Sequence, residues 1–226
     1  MHGRKAFSLN SQYSQSSGEA KRFVESLVAA AEAGDAKATY QIFLRTHQCE
    51  QALASVTDAE MNIYAKMGLA EQHLQSVEQT QQECATLIAD ANLWNRPWLA
   101  MAAEQGSVEA MLMYATSPEH ALGRQFNPIA DPEAIIRYRA RAMRYLEDAA
   151  DLGSIEALGD LSRAYKNGIL VASDATQSYA YDLVRARVYP ALVAENLLDL
   201  DRQHLSPGQM AEARLIADEI QRRCCQ

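Results

Sequence analysis

Apolar and small residues recur three and four positions apart along most of the chain, a spacing that places them on one face of a helix. The pattern is sharpest in residues 27–38, 99–110 and 146–157, where Leu, a pair of Ala, Gly and a further Ala follow in the same order. Small Ala side chains let a second helix pack closely, and Gly ends a helix in the left-handed conformation at little steric cost. Asp35, Ser107 and Ser154 follow the three glycines directly and can cap the next helix. Each copy therefore predicts two helices joined by a glycine turn.

The three glycines, at positions 34, 106 and 153, lie 72 and 47 residues apart. The first interval equals two units of about 36 residues, and the second equals one unit plus about ten, within the range of helix-pair repeats. One copy is expected to be degenerate, in residues 57–94, which lack the Ala-Ala-x-x-Gly signature. Few aromatic residues and no strand-like alternation predict an all-α protein. We expect helices near 20–33, 35–55, 58–72, 75–93, 96–105, 107–116, 132–152, 155–167, 174–187, 190–203 and 207–223.

Residues 156–186 carry a more specific pattern, formed by Ala157, Leu158, Leu161, Tyr165, Gly168, Val171, Asp174, Tyr179 and Ala180. This pattern resembles a Sel-one-like repeat, a relative of the tetratricopeptide repeat. The resemblance covers about half the chain, and residues 47–94 and the region after Tyr189 depart from it. It implies a right-handed α/α superhelical solenoid of antiparallel helix pairs. It also implies a bacterial envelope protein that serves as a non-catalytic scaffold for a protein or peptide partner.

The remaining segments define the expected domain organisation. Residues 1–19 are rich in Ser and Gln and poor in apolar residues, so we expect a flexible tail. Residues 20–226 are expected to form a single helical-repeat domain, with an irregular segment at 47–94 and a Pro-containing insertion at 117–132. The insertion is interpreted either as part of a binding face or as a tolerated surface loop.

Four cysteines bear on the compartment. Cys49 and Cys84 lie near the ends of two predicted helices that flank the irregular segment, and both a disulfide and two separate buried thiols are consistent with that placement. The family resemblance implies that exported bacterial relatives can carry paired cysteines. We therefore expect a periplasmic location if a signal peptide has been removed from this sequence, and a cytoplasmic one otherwise. Cys224 and Cys225 are not expected to bond to each other; on a frayed tail, one of them could link two chains into a homodimer.

No catalytic or cofactor-binding motif is found in the sequence. Phosphate-binding glycine loops, zinc-protease and serine-nucleophile signatures and Cys-x-x-Cys are all lacking, and the five histidines are scattered. We therefore expect no enzyme activity, no cofactor and no metal. The net charge of −8 argues against nucleic acid as a partner, and no stretch has the length of a membrane span.

The charge distribution suggests where a partner could bind. Arg137, Arg141 and Arg144 form a basic stripe on one predicted helix, with Arg139 close by. The stripe is either a docking site for an acidic protein or peptide, or a solvent-exposed face neutralised by neighbouring carboxylates. The residues predicted to contact a partner are Arg124, Arg137, Tyr138, Arg141 and Arg144.

Two other functions remain open from the sequence. The chain could be an all-helical enzyme or small-molecule binder with a site near the 117–132 insertion that uses Glu119, His120 or Asp131. It could also be a purely structural oligomerisation module. A deep enclosed pocket with converging polar groups would favour the small-molecule function, whereas an open groove would favour the scaffold.

Overall fold

The computed structural model describes residues 6–9, 18–54, 56–123, 129, 131–192 and 197–225. The chain is all-α, and within those ranges no strand forms apart from one isolated bridge. By contacts it divides into an N-terminal unit, Gln12–Ser107, and a C-terminal unit, Val108–Gln226 together with Met1–Ser11. Among the described helices, none is both long enough and apolar enough to cross a membrane.

Most of the predicted helices form, but the bounds predicted at 58–72, 75–93 and 190–203 are wrong. The turn at Gly68 ends the first of these early, the second begins at Ala70 and ends at Ile88, and the third region contains two short helices. One helix that was not predicted, Pro118–Leu122, lies inside the 117–132 insertion.

The helices of the N-terminal unit are α1 (Ala20–Glu32), α2 (Ala36–Leu53), α3 (Asp58–Lys66), α4 (Ala70–Ile88), α5 (Ala91–Trp94) and α6 (Trp98–Glu104). Those of the C-terminal unit are α7 (Val108–Thr116), α8 (Pro118–Leu122), α9 (Pro132–Asp151), α10 (Ile155–Asn167), α11 (Ala175–Val188), a 3-10 helix (Pro190–Leu192), α12 (Leu197–Arg202) and α13 (Pro207–Cys224).

The three glycine turns share one hydrogen-bond pattern. Gly34, Gly106 and Gly153 all have positive φ, near 100°. In each turn the glycine N–H donates to the carbonyl of the second Ala of the pair, and the next N–H donates to the carbonyl of the first Ala, at 2.8–3.1 Å. This is the Schellman motif, which satisfies carbonyls that the end of a helix leaves without partners. The side chains of Asp35 and Ser154 then cap α2 and α10, as their positions predict.

A fourth turn of the same kind lies in the irregular segment, at Gly68. Its N–H donates to the carbonyl of Ala65, and the N–H of Leu69 donates to that of Tyr64. Tyr64 stands where the other copies have their first Ala, so the sequence signature is lost while the backbone pattern remains. Gly34, Gly68 and Gly106 are thus spaced 34 and 38 residues apart, close to the unit length that the sequence predicts.

In the N-terminal unit, a disulfide joins α2 to α4. Cys49 and Cys84 are fully buried and bonded to each other, with Cα atoms 5.5 Å apart. The disulfide is therefore confirmed over the alternative of two separate thiols. Leu87, Ile42 and Val24 are also fully buried and contribute to the core of this unit.

An ion pair lies one helical turn from the disulfide. The side chain of Arg45 is 1% exposed, and its Nη2 lies 2.9 Å from Oε2 of Glu83. Its guanidinium also donates to Oε1 of Gln48 (2.6 Å) and to the carbonyl of Gly18 (2.5 Å). The hydrogen bond from Arg45 holds the pKa of the Glu83 carboxyl below its ordinary value. Arg45 therefore connects α2 to α4, through Glu83, and to Gly18, which lies just before α1.

We expect Arg45→Met to lower the free energy of unfolding by about 3 kcal/mol at neutral pH, because it removes one partner of a largely buried ion pair. A carboxyl with a lowered folded-state pKa stabilises the fold above its unfolded pKa of 4.5 and loses that contribution as the pH falls through the folded value. The loss caused by Arg45→Met should therefore shrink below pH 4.5. Urea unfolding at neutral and acidic pH measures both effects.

Arg22→Met is the matched control, since the Arg22 side chain is 87% exposed and lies 3.5 Å from Glu19. It should change the free energy of unfolding by less than about 0.5 kcal/mol. An Arg45→Met loss no larger than that of the control, or one independent of pH, would contradict the assigned role of the pair.

In the C-terminal unit, α10 packs on α9 and α11, and α11 packs on α13. Buried polar groups connect α10 to α11: Asp182 accepts hydrogen bonds from Ser162 (2.6 Å) and Arg185 (2.8 Å). Gly159 leaves room for the Arg185 guanidinium, because a Cβ at this position would lie 3.2 Å from it. Gly159 lies inside α10 and thus allows the Arg185 side chain to pack closely, whereas the glycines of the Schellman motifs form turns.

The prediction for the last two cysteines is wrong. Cys224 and Cys225 are bonded to each other, and Cys224 is a fully buried residue at the end of α13 rather than part of a frayed tail. Helix packing orders this end of the chain, which the sequence pattern at the terminus does not indicate. Neither thiol is then free to link two chains, so the route to a homodimer through them is closed.

Two other expectations concern domain organisation. Within the predicted flexible tail, residues 6–9 lie on the C-terminal unit, and Gly18 contacts Arg45. The single helical-repeat domain over 20–226 stays a prediction.

Candidate functional site

An open groove of about 480 Å³ lies in the C-terminal unit. It is formed by the end of α7, by α8, by one side of α9, by α10 and by the residues after α10. Its apolar walls consist of Ala115, Pro118, Leu122, Ile135, Leu146, Ala164, Ile169 and Leu170. The 117–132 insertion thus contributes one wall, through Pro118 and Leu122 of α8.

Tyr138 fixes the position of the groove floor. Its side chain is 6% exposed, and its hydroxyl donates a 2.8 Å hydrogen bond to the carbonyl of Ala115 at the end of α7. Burial raises the pKa of Tyr138 to about 12, so the hydroxyl remains a donor at neutral pH. Its ring packs against Tyr114, with centroids 5.6 Å apart, and Tyr114 meets Tyr145 edge-to-face at 5.0 Å. Three tyrosines therefore hold α7 against α9.

Polar groups line only part of the groove: Thr116, Arg139, Asp160, Arg163 and Asn167. Asp160 is buried and forms an ion pair with Arg163, one turn further along α10. Burial raises the pKa of the Asp160 carboxyl, while the charges of Arg163 and Arg185 oppose that rise. Arg139 projects from α9 as an exposed side chain, and within the described ranges it has no ion-pair partner.

The structure separates the predicted basic stripe from the groove. Arg137 is exposed and pairs with Asp131 (3.0 Å) and Glu133 (3.5 Å), the arrangement of a neutralised solvent-exposed face. Arg144 lies over the ring of Tyr145, 5.1 Å from its centroid. Of the predicted contact residues, Tyr138 alone lines the groove, Arg141 is exposed on α9, and Arg124 lies outside the described residues.

The polar residues proposed for a small-molecule site do not converge on the groove. Asp131 caps α9 and pairs with Arg137, while Glu119 is exposed on α8, 3.8 Å from His120. None of these three lines the described groove. The groove offers an apolar surface with a few charged groups beside it. The apolar surface can hold an apolar side chain of a ligand, and the charged groups can orient a charged residue next to that side chain.

Sequence reasoning missed most of the groove residues. Asp160 and Arg163 are spaced three apart on one helix, a signal for a local ion pair that could have been noticed. Ile169 and Leu170 lie between the predicted helices 155–167 and 174–187, and this position does not indicate that they line a groove together with residues of α8 and α9. Contact between α7, α8 and α9 depends on the path of the insertion, which has no repeat pattern.

No protein-family profile matches the chain, and no curated protein is significantly similar to it. The likeness to Sel-one-like repeats therefore rests on the residues quoted above, and membership of that family stays a prediction.

Proposed function

We propose that this protein is a non-catalytic interaction scaffold whose C-terminal unit binds a peptide segment in the groove between α7, α8, α9 and α10. The single observation that carries the proposal is the groove itself, an open apolar surface bordered by few polar groups. The partner supplies an apolar anchor side chain and an acidic residue next to it.

The dimensions and lining of the groove support an apolar anchor. A volume of about 480 Å³ lies within the range of ligand-binding clefts, which are mostly apolar with few polar groups. Ile169 is 60% exposed at the groove rim, so a bound chain would cover apolar surface that now faces water. Anchor side chains that fill such a surface supply most of the affinity in protein interfaces.

The charges beside the groove support an acidic neighbour to the anchor. Arg163 is compensated by Asp160, whereas Arg139 has no ion-pair partner in the part of the chain that the structure describes. A carboxylate placed near Arg139 would gain a charge-assisted hydrogen bond. An acidic residue of the partner would therefore pair with Arg139 at the groove rather than with Arg137, which already has two carboxylate partners.

Repeated helix–glycine–helix turns support the wider architecture. Four turns share one Schellman hydrogen-bond pattern, at Gly34, Gly68, Gly106 and Gly153. Stacked helix pairs of this kind build α/α solenoids that present a binding surface. We propose that the chain forms a right-handed solenoid of antiparallel helix pairs of the Sel-one-like type. The Cys49–Cys84 disulfide supports an oxidising compartment, which in a Gram-negative bacterium is the periplasm.

Selection of a random peptide display library against the full chain tests the proposal. Enriched peptides should share one large apolar residue with Asp or Glu within a few positions of it. Arg139→Glu should weaken their binding by about tenfold, because it replaces attraction by repulsion. Arg137→Glu is the matched control and should have little effect, since Arg137 already pairs with two carboxylates. Enrichment of peptides without an acidic residue, or equal effects of the two variants, would contradict the acidic neighbour.

A second candidate is a site for a small apolar molecule, which the volume and apolar lining of the groove also fit. Decanoate serves as the probe, with binding followed by NMR shifts of the Leu122 and Ile135 methyl groups. Saturable shifts with decanoate, together with no enriched peptide, would favour this function over the scaffold. Peptide enrichment without decanoate binding would reject it.

A further inference from the structure

A second candidate binding site lies at the turn between α9 and α10, where a segment from the start of the chain is bound. Residues 6–9 lie against this turn through a parallel bridge between Phe7 and Ser154. The Phe7 N–H donates to the carbonyl of Gly153 (2.9 Å), and the N–H of Ile155 donates to the carbonyl of Phe7 (3.1 Å). The turn therefore offers one acceptor and one donor to an extended backbone.

Glu156 adds side-chain recognition next to that backbone pairing. One of its carboxylate oxygens accepts from the Ser8 hydroxyl (2.6 Å) and from the Leu9 N–H (3.1 Å), while the other accepts from the Ser154 hydroxyl (3.1 Å). Burial raises the pKa of Glu156, but these hydrogen bonds outweigh burial and hold it below the ordinary value. The ionised carboxylate thus accepts a hydroxyl and an amide from two consecutive residues of the segment.

The bound segment is held by few interactions. Phe7 remains 37% exposed, so its ring buries only part of its apolar surface. Each hydrogen bond contributes little net free energy, because it replaces a hydrogen bond to water, whereas ordering each residue costs backbone entropy. For this four-residue segment, the entropy cost equals or exceeds the gain from its hydrogen bonds. Covalent connection to the rest of the chain then favours occupancy by reducing the entropy of association.

We propose that the α9–α10 turn is a binding site for an extended peptide segment with a Ser or Thr between two apolar residues, and that residues 6–9 are its resident, displaceable occupant. Gly153 and Ile155 form hydrogen bonds with the backbone of the bound segment. Glu156 accepts hydrogen bonds from its Ser or Thr hydroxyl and from the N–H of the residue that follows. A segment of the same chemistry from another chain would make the same hydrogen bonds once residues 6–9 leave. This site is independent of the groove, which lies on other residues of the same unit.

The test uses the full chain with Phe7→Pro, which removes the N–H that donates to Gly153. A fluorescein-labelled peptide of residues 4–11 should bind this variant about tenfold more tightly than it binds the unaltered chain, whose site is occupied. Adding Glu156→Gln to Phe7→Pro should weaken peptide binding by about tenfold, since hydrogen bonds to an ionised acceptor are the strong ones. Glu147→Gln in the same background is the matched control and should leave binding unchanged.

A change in the peptide alone keeps the test independent of protein folding. N-methylation of the residue equivalent to Leu9 removes its N–H and should abolish most of the binding. Equal affinity for the Phe7→Pro variant and the unaltered chain, no binding to either, or indifference to N-methylation would overturn the proposal.

Discussion

The double variant Cys49→Ala/Cys84→Ala should unfold with a free energy lower by about 4 kcal/mol, measured by urea denaturation under non-reducing conditions. The disulfide closes a loop across a sequence separation of 35 residues, so its removal releases considerable chain entropy in the unfolded state. Without the disulfide, α2 and α4 would still be joined by the Arg45–Glu83 ion pair and by the hydrogen bond from the Gln81 side chain to the carbonyl of Ala52 (2.7 Å).

The second disulfide supplies a matched control for this prediction. Cys224 and Cys225 are adjacent, so their bond closes almost no loop and restricts the unfolded chain very little. Cys224→Ala/Cys225→Ala should therefore cost much less than the first double variant. Equal losses for the two pairs would contradict the chain-entropy explanation, and no loss for Cys49→Ala/Cys84→Ala would contradict the assigned role of the disulfide.

Trp98→Ala should lower the free energy of unfolding by about 4 kcal/mol, the range for truncation of a large buried aromatic residue. Trp98 is 2% exposed at the start of α6, and its indole N–H donates to the carbonyl of Leu93 (2.8 Å). The Arg96 guanidinium lies 4.3 Å from the ring centre. Equilibrium urea unfolding followed by circular dichroism measures the loss without relying on tryptophan fluorescence.

Two variants separate the contributions to this effect. Trp98→Phe keeps an aromatic ring but removes the indole N–H, so it should cost about 1–2 kcal/mol. Trp94→Ala removes a half-buried ring four residues earlier and should cost less than Trp98→Ala. A Trp98→Ala loss similar to that of Trp94→Ala would show that the ring of Trp98 is not a core residue of this unit.

The helices and their glycine turns could be predicted from the sequence because their causes are local. The paired Ala carbonyls, the following Gly and the Asp35 or Ser154 cap all lie within nine residues of one another. The turn at Gly68 uses the same backbone hydrogen bonds, but it lacks the Ala pair in the sequence because residue 64 is Tyr. Tyr at this position is compatible with the turn because the Schellman motif uses the backbone carbonyl of residue 64 and not its side chain.

The groove and the docked segment could not be predicted because they depend on contacts distant in sequence. From the sequence, Glu156 is an ordinary residue in the first turn of α10. In the structure it accepts hydrogen bonds from Ser8 and Leu9, which lie 148 and 147 positions earlier in the chain. The basic stripe predicted from the sequence includes Arg137 and leaves out Arg139, yet Asp131 and Glu133 neutralise Arg137, and it is Arg139 that lines the groove. Helical periodicity places the two arginines on different faces of α9, but it does not indicate which face borders a groove.

Calorimetric titration of one enriched peptide tests the central claim, that the groove is the partner-binding site, most directly. Leu122→Asp places a charge on the groove wall, and Leu215→Asp is the matched control because Leu215 is 72% exposed on α13 of the same unit. The account predicts that Leu122→Asp weakens binding by about tenfold or more while Leu215→Asp binds like the unaltered chain, with both variants keeping their helicity. Unchanged affinity for Leu122→Asp, or an equal loss in both variants, would contradict it.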